Sequence, residues 1–305
     1  MSSISGPHAV SPTLGVVAIS RNEERDLPGF LGNVLPWVDE VVLVDDNSTD
    51  KTREIARAAG EKLRFVDHPM SEGGFAEQRN DGIRQARSEW LLHMDVDERV
   101  TPALAREIRE NISRIDLNAF RYRRLNFFMH RPMRAGSWRG WNNPQLARAG
   151  AHRFVNKLHE KCVVDGAPEK VGQLTEEMWH LCDESYLERL SKSNRYCHID
   201  AQKIVAEGRR VRWAHFLVLP TVEFLRTYLF KRGFRDGVPG LIAALHAASS
   251  VFRTRAIAWE IQNCVSRDEL ERGMERLWDV AGGSRDMSFA PDGAESALEG
   301  TRVTR

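Results

Sequence analysis

The first hundred residues alternate short apolar runs with helical patterns, and this alternation constrains the fold more than any other feature of the chain. The apolar runs cover residues 14–20, 40–44, 63–66 and 90–94. Short runs rich in β-branched residues are typical of parallel strands that are covered on both faces. Strands that alternate with helices at this spacing predict a doubly wound α/β sheet, which binds its ligands at the carboxyl ends of the strands.

Carboxylates follow two of these runs, at the edge where the sheet is expected to bind its ligand. The second run leads into residues 45–50, and the fourth leads into Asp95, Asp97 and Glu98. Carboxylate oxygens suit Mg²⁺ or Mn²⁺, and Mg²⁺ usually divides its positions between one or two carboxylates and substrate phosphates. The Asp-x-Asp spacing therefore predicts a metal-bound phosphate donor. Alternation along an extended chain turns Glu98 away from Asp97, so Glu98 is expected to support the site from behind.

Four motifs in this region resemble those of the family 2 glycosyltransferases, whose nucleotide-sugar-binding domain has the Rossmann-like GT-A fold. In chain order the motifs are residues 19–24, 44–52, 78–82 and 92–98. The resemblance implies that Asp46 hydrogen-bonds the nucleotide base and that Arg79 lies near the base or the diphosphate. The residues that it assigns to nucleotide-sugar binding are Ser20, Asn22, Glu23, Asp46, Arg79 and Asp95. The metal ligands that it implies are Asp97, Asp95 and His180.

Later segments resemble a branch of the family that glycosylates the inner core of bacterial lipopolysaccharide. The matching segments are residues 120–124, 136–138, 141–146, 155–160, 178–180 and 228–241. The resemblance implies UDP-glucose as the leading donor, with galactose, N-acetylglucosamine or another nucleotide as alternatives. It implies a saccharide or glycolipid acceptor in the lipopolysaccharide core or another cell-surface glycan. Residues 141–143 depart from the pattern of the branch, which leaves the acceptor open.

The catalytic residues expected from the resemblance are Glu160 and His159. In an inverting displacement a carboxylate near the acceptor takes the proton of the attacking hydroxyl, and we assign this role to Glu160. His159 would orient either Glu160 or the acceptor. The alternatives are an ordinary exposed turn for the His-Glu pair and a structural histidine for His180.

Arginines are concentrated between residues 121 and 139, where they are interleaved with aromatic residues. Guanidinium groups bind phosphate or carboxylate through two hydrogen bonds, and aromatic faces pack on sugar rings. We therefore expect Arg121, Trp138 and Trp141 to bind an acceptor, which can be phosphorylated. The alternative is a solvated rim of arginines whose stems cover apolar surface.

The composition excludes some classes of protein and supports a cytoplasmic enzyme. Lys and Arg total 44 against 43 Asp and Glu, so no basic excess indicates nucleic-acid binding. The four cysteines have neither metal-site spacing nor the density of a secreted disulfide scaffold. No signal peptide or membrane-spanning segment is expected from the sequence.

Five regions are expected along the 305 residues. They are a flexible N-terminus (1–12), a donor-binding half (13–112), an acceptor-binding half (113–185), a mainly helical C-terminal region (186–280) and a flexible tail (281–305). Basic residues flank apolar helix patterns in the helical region, as in helices that lie on the inner face of a membrane. A helical cap on the catalytic domain and a dimer interface are the alternatives.

Two other functions fit an α/β sheet with a metal-bound nucleotide. A nucleotidyltransferase normally has a Gly-rich basic loop after its first strand, and residues 20–24 contain no glycine. A non-catalytic sugar- or lipid-binding protein would leave the acidic residues Asp95, Asp97 and Glu160 without a role. The sequence therefore favours a metal-dependent, inverting glycosyltransferase.

Overall fold

The computed structural model describes residues 11–138, 143–157 and 160–280. The predicted tail and nearly all of the predicted N-terminal segment lie outside these residues. So do two predicted site residues, His159 and Trp141.

Strands and helices alternate through the first part of the chain. In order they are β1 (Leu14–Ser20), α1 (Leu27–Val34), β2 (Glu40–Asp45), α2 (Thr52–Ala58), β3 (Leu63–Asp67), α3 (Gly74–Gln85), β4 (Trp90–Asp95), β5 (Glu98–Val100) and α4 (Pro102–Asn111). The middle part contains β6 (Ala119–Phe128), β7 (Arg131–Met133), β8 (Pro144–Arg148), β9 (His152–Val155), β10 (Lys161–Val164) and β11 (Val171–Asp183). The last part contains α5 (Tyr186–Ala206), α6 (Ala214–Leu225), α7 (Gly237–Asn263) and α8 (Arg267–Val280).

One large sheet organises the described residues, with the strand order β3-β2-β1-β4-β8-β6-β11-β5 and with β7 paired to β6. Strands β1 to β4 are mutually parallel, whereas β8 runs antiparallel to both β4 and β6. Strands β9 and β10 form a separate hairpin. The predicted α/β class, with a helical C-terminal region, is confirmed.

The register of the parallel strands brings the predicted site residues to one edge. Ile19 of β1 pairs with Val44 of β2 on one side and with Asp95 of β4 on the other. Because these strands end at the same level, the loops that follow Ser20, Asp45 and Asp95 meet there. The sheet therefore assembles the acidic groups that the sequence places after separate strands.

The core explains why the apolar runs are nearly continuous. The central strands β1, β2 and β4 are covered on both faces, and Val16 and Val17, neighbours that point to opposite faces, are both fully buried. Trp90, Phe30 and Phe120 are among the largest fully buried side chains. Burial of a side chain of this kind stabilises a fold by roughly 1.5–3 kcal/mol.

The helical region packs mainly on itself. Helix α7 lies against α5 and α6, with Ala201, Ile204 and Ala258 buried between them. Many apolar side chains of α6 and the turn that follows it face solvent, and Phe230 is 81% exposed. Among the helices of the described residues, none combines the length and the apolar character that crossing a bilayer requires.

Helix α3 approaches the sheet closely at Gly82. A Cβ atom at this position would lie 2.3 Å from Cγ1 of Val17 and 3.2 Å from Cγ2 of Val44. Both valines are fully buried and stiff at χ1, so neither can move aside easily. Glycine is therefore required at position 82 because there is no room for a Cβ atom. Helix propensity alone would favour alanine.

We expect Gly82→Ala to lower the free energy of unfolding by about 1–3 kcal/mol, because it overpacks this contact. Urea denaturation monitored by circular dichroism measures the change. Gly32→Ala is the matched control: Gly32 is also helical, a Cβ there meets no atom within 4 Å, and the change should stabilise the protein by about 0.5–1 kcal/mol. Equal stability of the two variants would contradict the packing argument.

Candidate functional site

Two loops at the carboxyl edge of the sheet, the one after β1 and the one after β2, are hydrogen-bonded to each other. The backbone N–H of Asn22 donates to Oγ of Ser48 at 2.8 Å, and the side-chain oxygen of Asn22 accepts from the N–H of Thr49 at 2.8 Å. The N–H of Glu23 donates to Oγ1 of Thr52 at 2.7 Å. Asn22, predicted to bind the nucleotide sugar, is thus placed as a brace between the loops and does not line the cavity described next.

Asp46 is held in a fixed orientation at the end of β2. It is 4% exposed, and it accepts hydrogen bonds from Nη1 of Arg21 at 2.8 Å and from the backbone N–H of Met70 at 2.7 Å. The neighbouring Asp45 is fully buried and accepts from the hydroxyl of Ser20 at 2.7 Å. A carboxylate oxygen can accept more than one hydrogen bond, so Asp46 can still receive the N–H of a base.

A cavity of about 460 Å³ opens at this edge, and we call it the donor cavity. The residues predicted to bind donor or metal that line it are Ser20, Glu23, Asp46, Asp95, Asp97 and His180. Burial, followed by the nearby charge of Asp97, raises the pKa of Glu23 to about 7. The carboxylates of Glu23, Asp46, Asp95 and Asp97 thus meet in one concave space, which Arg21, Arg25 and Lys192 also line.

Asp95, Asp97 and His180 form a compact group of metal-type ligands. One ligand atom from each lies within 4.8 Å of the other two. Nε2 of His180 is 3.2 Å from Oδ2 of Asp97, and Nδ1 of His180 hydrogen-bonds Oδ1 of Asn126 at 2.7 Å. Burial acts to lower the pKa of His180, but its hydrogen bond to the Asp97 carboxylate and the negative charge of Asp97 together raise the pKa. Two carboxylates and an oriented imidazole are a donor set that fits a divalent metal ion.

Asp95 differs from Asp97 because two arginines neutralise it. Its Oδ1 is 2.6 Å from Nη2 of Arg79, and its Oδ2 is 2.7 Å from Nη2 of Arg124. Burial acts to raise the pKa of Asp95, but the two guanidinium groups together lower it. No arginine pairs with Asp97 in the described part of the chain, so Asp97 is the carboxylate more available to a cation.

Glu98 supports this arrangement from beneath. Its side chain is fully buried, it pairs with Nε of Arg124, and its Oε2 accepts the backbone N–H of Asp95 at 2.8 Å. Burial raises the pKa of Glu98 to about 7, with Arg124 opposing the rise. The expected orientation of Glu98 away from Asp97 agrees with this position.

The predicted base, Glu160, is attached to the same network through Arg79. Nε of Arg79 lies 3.3 Å from Oε1 of Glu160, and Glu160 keeps 22% of its side chain exposed. Arg79 itself is 3% exposed and also lies over the ring of Phe154. A single buried guanidinium therefore connects Glu160 to Asp95.

A second and larger cavity of about 780 Å³ begins where the donor cavity ends. Four residues line both cavities: Asp97, His180, Cys182 and Lys192. The rest of the wall comes from β6 through Arg124, Asn126 and Phe128, from Trp138, and from helices α5 and α7. We call this space the acceptor cavity. Trp138 is the predicted acceptor residue that lines it, whereas Arg121 lines neither cavity.

Several wall residues of the two cavities were not expected from the sequence. Arg124 carries a signal that could have identified it, because alternation along β6 places Arg124 on the buried face with Tyr122, and Arg121 on the other face. The α5 residues Lys192 and Tyr196 carry no comparable signal. Their role depends on how α5 docks against β11, which periodicity does not reveal.

A buried histidine pair lies under the site, with His93 on β4 and His152 on β9. Their Nε2 atoms are 2.7 Å apart, and Nδ1 of His152 hydrogen-bonds the carbonyl oxygen of Arg148 at 2.8 Å. That carbonyl requires a proton on Nδ1 of His152, so His93 must donate from Nε2. Burial lowers the pKa of both rings, most strongly that of His93.

The histidine pair should make stability depend on pH in the acid range. Because the folded-state pKa values lie below the unfolded value of 6.5, the unfolded chain binds more protons, and stability falls as pH falls below about 6.5. The loss is up to about 1.4 kcal/mol per pH unit for each histidine.

Urea unfolding at several pH values tests this, with His93→Gln as the variant. In the variant, the free energy of unfolding should fall less steeply with decreasing pH, because one of the two titrating histidines is gone. His198→Gln, an exposed histidine on α5, is the control and should keep the wild-type slope. An unchanged slope in His93→Gln would show that the pair does not titrate as described.

The chain is similar to known proteins over most of its length. Residues 15–164 match the model of a family described as glycosyl transferase family 2. The lipopolysaccharide core biosynthesis glycosyltransferase LpsC of Rhizobium meliloti is 29% identical, over 80% of this chain and 90% of that protein. An uncharacterized glycosyltransferase of Rickettsia conorii is 23% identical, over 87% of this chain and 98% of that protein.

Solved structures also match. A crystal structure of S. aureus TarS residues 1–349 in complex with UDP-GlcNAc is 16% identical, covers 82% of this chain and 91% of that chain, and has a TM-score of 0.43.

Proposed function

The chain carries a glycosyl transferase family 2 domain and is a glycosyltransferase, and from this premise we propose that it is a metal-dependent, inverting enzyme. Its proposed donor is a nucleotide diphosphate sugar, with UDP-glucose as the leading candidate. Its proposed acceptor is a saccharide or glycolipid of the lipopolysaccharide core or another cell-surface glycan. The name of the Rhizobium meliloti relative supports this acceptor class.

One observation carries the proposal: two cavities meet at Asp97 and His180. Sugar transfer needs a donor and an acceptor on opposite sides of the anomeric carbon, with the leaving diphosphate held at the junction. The acidic cavity beside Asp46 suits the nucleotide and its cation, and the larger cavity suits a saccharide. The junction is therefore the proposed position of the reacting bond.

The residues of the junction hold and orient the leaving group. Asp97 and His180, with Asp95 beside them, would hold the metal ion, and the mixture of carboxylates with an imidazole favours Mn²⁺ over Mg²⁺. When bound, a divalent cation supplies positive charge that offsets the charge building on the diphosphate. Lys192 also lines both cavities, where its ammonium group donates to the carbonyl oxygen of Cys182 at 2.9 Å and pairs with Glu188. The bond from the anomeric carbon breaks with its electron pair going to the diphosphate.

Glu160 is the proposed base for the attacking hydroxyl. The hydroxyl oxygen bonds to the anomeric carbon, and the proton moves to the carboxylate of Glu160. Glu160 lines neither cavity, so this role is supported by the family resemblance and by the connection of Glu160 to Asp95 through Arg79. The alternative is a purely structural role, in which Glu160 only orients Arg79.

We propose a cytoplasmic location for the reaction. The proposal is supported by the cysteine content, because four cysteines in 305 residues lack the density of a secreted disulfide scaffold.

Asp97→Asn should abolish the stabilisation of the protein by a nucleoside diphosphate with Mn²⁺ and should lower sugar transfer by roughly 10²–10³-fold, because the cation loses its main ligand. Thermal shift with uridine, guanosine, thymidine and cytidine diphosphates, each with Mn²⁺ or EDTA, measures binding. Asp165→Asn, an exposed aspartate on the hairpin side, is the matched control and should behave as wild type. A wild-type protein that responds to none of these nucleotides would overturn the proposed donor site.

Glu160→Gln should lower the transfer rate by roughly two to four orders of magnitude while leaving the nucleotide-dependent thermal shift intact, since glutamine keeps the shape but cannot take a proton. Single-turnover transfer measures the chemical step. Loss of nucleotide binding together with activity would mean that Glu160 serves to position Arg79, and full activity would exclude Glu160 as the base.

A further inference from the structure

A third cavity, of about 550 Å³, shares no lining residue with the donor and acceptor cavities. It is formed between the loop that precedes Trp138 and the segment that joins α6 to α7. Its charged lining consists of Arg134, Lys231, Arg232, Arg235 and Asp236. We call it the basic pocket.

The carboxylate in the basic pocket is occupied by the main chain. Oδ1 of Asp236 accepts the backbone N–H of Arg134 at 2.9 Å, and Oδ2 accepts that of Ala135 at 2.9 Å. Within the described residues, Lys231, Arg232 and Arg235 make no ion pair, and Arg134 approaches a carboxylate, that of Glu177, only at 3.8 Å. The pocket therefore collects four cationic side chains around a single acid that already has two donors.

The backbone beneath these cations is tightly constrained. The N–H of Gly136 donates to the carbonyl oxygen of Lys231 at 2.9 Å, which joins the two walls of the pocket. Arg232 has a φ of +60°, a left-handed conformation that side-chain-bearing residues rarely adopt. A Cβ on Gly233 would lie 2.8 Å from the carbonyl oxygen of Thr227, and one on Gly240 would lie 2.0 Å from that of Gly233. The chain path that presents the cations is thus fixed by close main-chain packing.

The basic pocket borders the acceptor cavity. Nζ of Lys231 hydrogen-bonds Oγ of Ser137 at 3.3 Å, and Ser137 lines the acceptor cavity. Thr227, packed against Gly233, lines that cavity as well. A ligand in the acceptor cavity can therefore extend an anionic group into the basic pocket.

We propose that the basic pocket binds a phosphate group carried by the acceptor. Cations gathered without anions repel one another, and guanidinium groups match the oxygens of phosphate in paired hydrogen bonds. The inference rests on the proposed function, which it deepens by making the acceptor a phosphorylated molecule. The phosphate belongs either to a phosphorylated saccharide or to a lipid headgroup.

Isothermal titration of the full chain tests the proposal, with glucose 6-phosphate and glucose as probes at constant ionic strength. UDP and Mn²⁺ are present in excess to fill the donor cavity. The variant is Arg232→Gln/Arg235→Gln, and the matched control is Arg210→Gln/Arg212→Gln, which removes two exposed arginines elsewhere. We expect the sugar phosphate to bind and glucose not to bind. The affinity should fall about tenfold or more in the variant and change less than about twofold in the control.

A second arm distinguishes the source of the phosphate. Cosedimentation with phosphatidylcholine vesicles, with and without phosphatidylglycerol, reports binding of a lipid headgroup by the same proteins. Binding of either probe that depends on Arg232 and Arg235 supports the proposal and identifies the source. Equal binding by variant and control, or no binding of either probe by the wild type, overturns it. Circular dichroism melting of the variant confirms that it remains folded.

The outcome is separable from that of the proposed function. If the wild-type protein shows the thermal shift with UDP and Mn²⁺ but binds no phosphate, only the proposal that the basic pocket binds phosphate is overturned. If the protein binds glucose 6-phosphate through Arg232 and Arg235 but shows no thermal shift with nucleotides, the proposed donor site is overturned and the proposed phosphate site is retained.

Discussion

The ion pairs of Asp95 with Arg79 and Arg124 are the interaction on which the rest of the site depends. The parallel sheet brings several carboxylates to one edge, and partly buried negative charges at close range would destabilise it unless cations compensate them. Arg79 comes from α3 and Arg124 from β6, so the compensation also ties the donor half of the sheet to the half that follows. Removing one partner of such a pair typically costs several kcal/mol, because the other charge remains buried.

Because the arginines pair with Asp95 and not with Asp97, two aspartates that look equivalent in the sequence have different surroundings in the structure. Each carboxylate oxygen of Asp95 pairs with an arginine, and the backbone N–H of Asp95 donates to Glu98. Asp97, one step beyond the strand, pairs only with His180 among the described side chains, and it faces both cavities. The strand end thus provides one aspartate that organises the site and another that is available for a cation.

Much of the sheet and of its acidic edge could be predicted, because both depend on local pattern. The parallel strands are short apolar runs, and the register of β1 with β2 and β4 follows once those strands are parallel. The grouping of His180 with Asp97 required the family resemblance, since 83 residues separate them (180 − 97) and only the pairing of β11 with β5 brings them together. Arg121 stays a predicted acceptor residue, although the two-residue period of β6 places Arg124, and not Arg121, on the face that lines the acceptor cavity.

The helical region was the part that sequence reasoning could least define, and the acceptor cavity explains why. The wall of that cavity is shared between β6, whose alternation predicts which side chains face it, and helices α5 and α7. The α5 wall residues Lys192 and Tyr196 are one helical turn apart, but this spacing does not reveal which surface they face. These helices also lie beyond residue 164, where the family match ends. A cap would only cover the catalytic sheet, whereas these helices enclose the space in which an acceptor would meet Asp97. Differences in acceptor between related enzymes can therefore arise in the helices while the acidic edge stays the same.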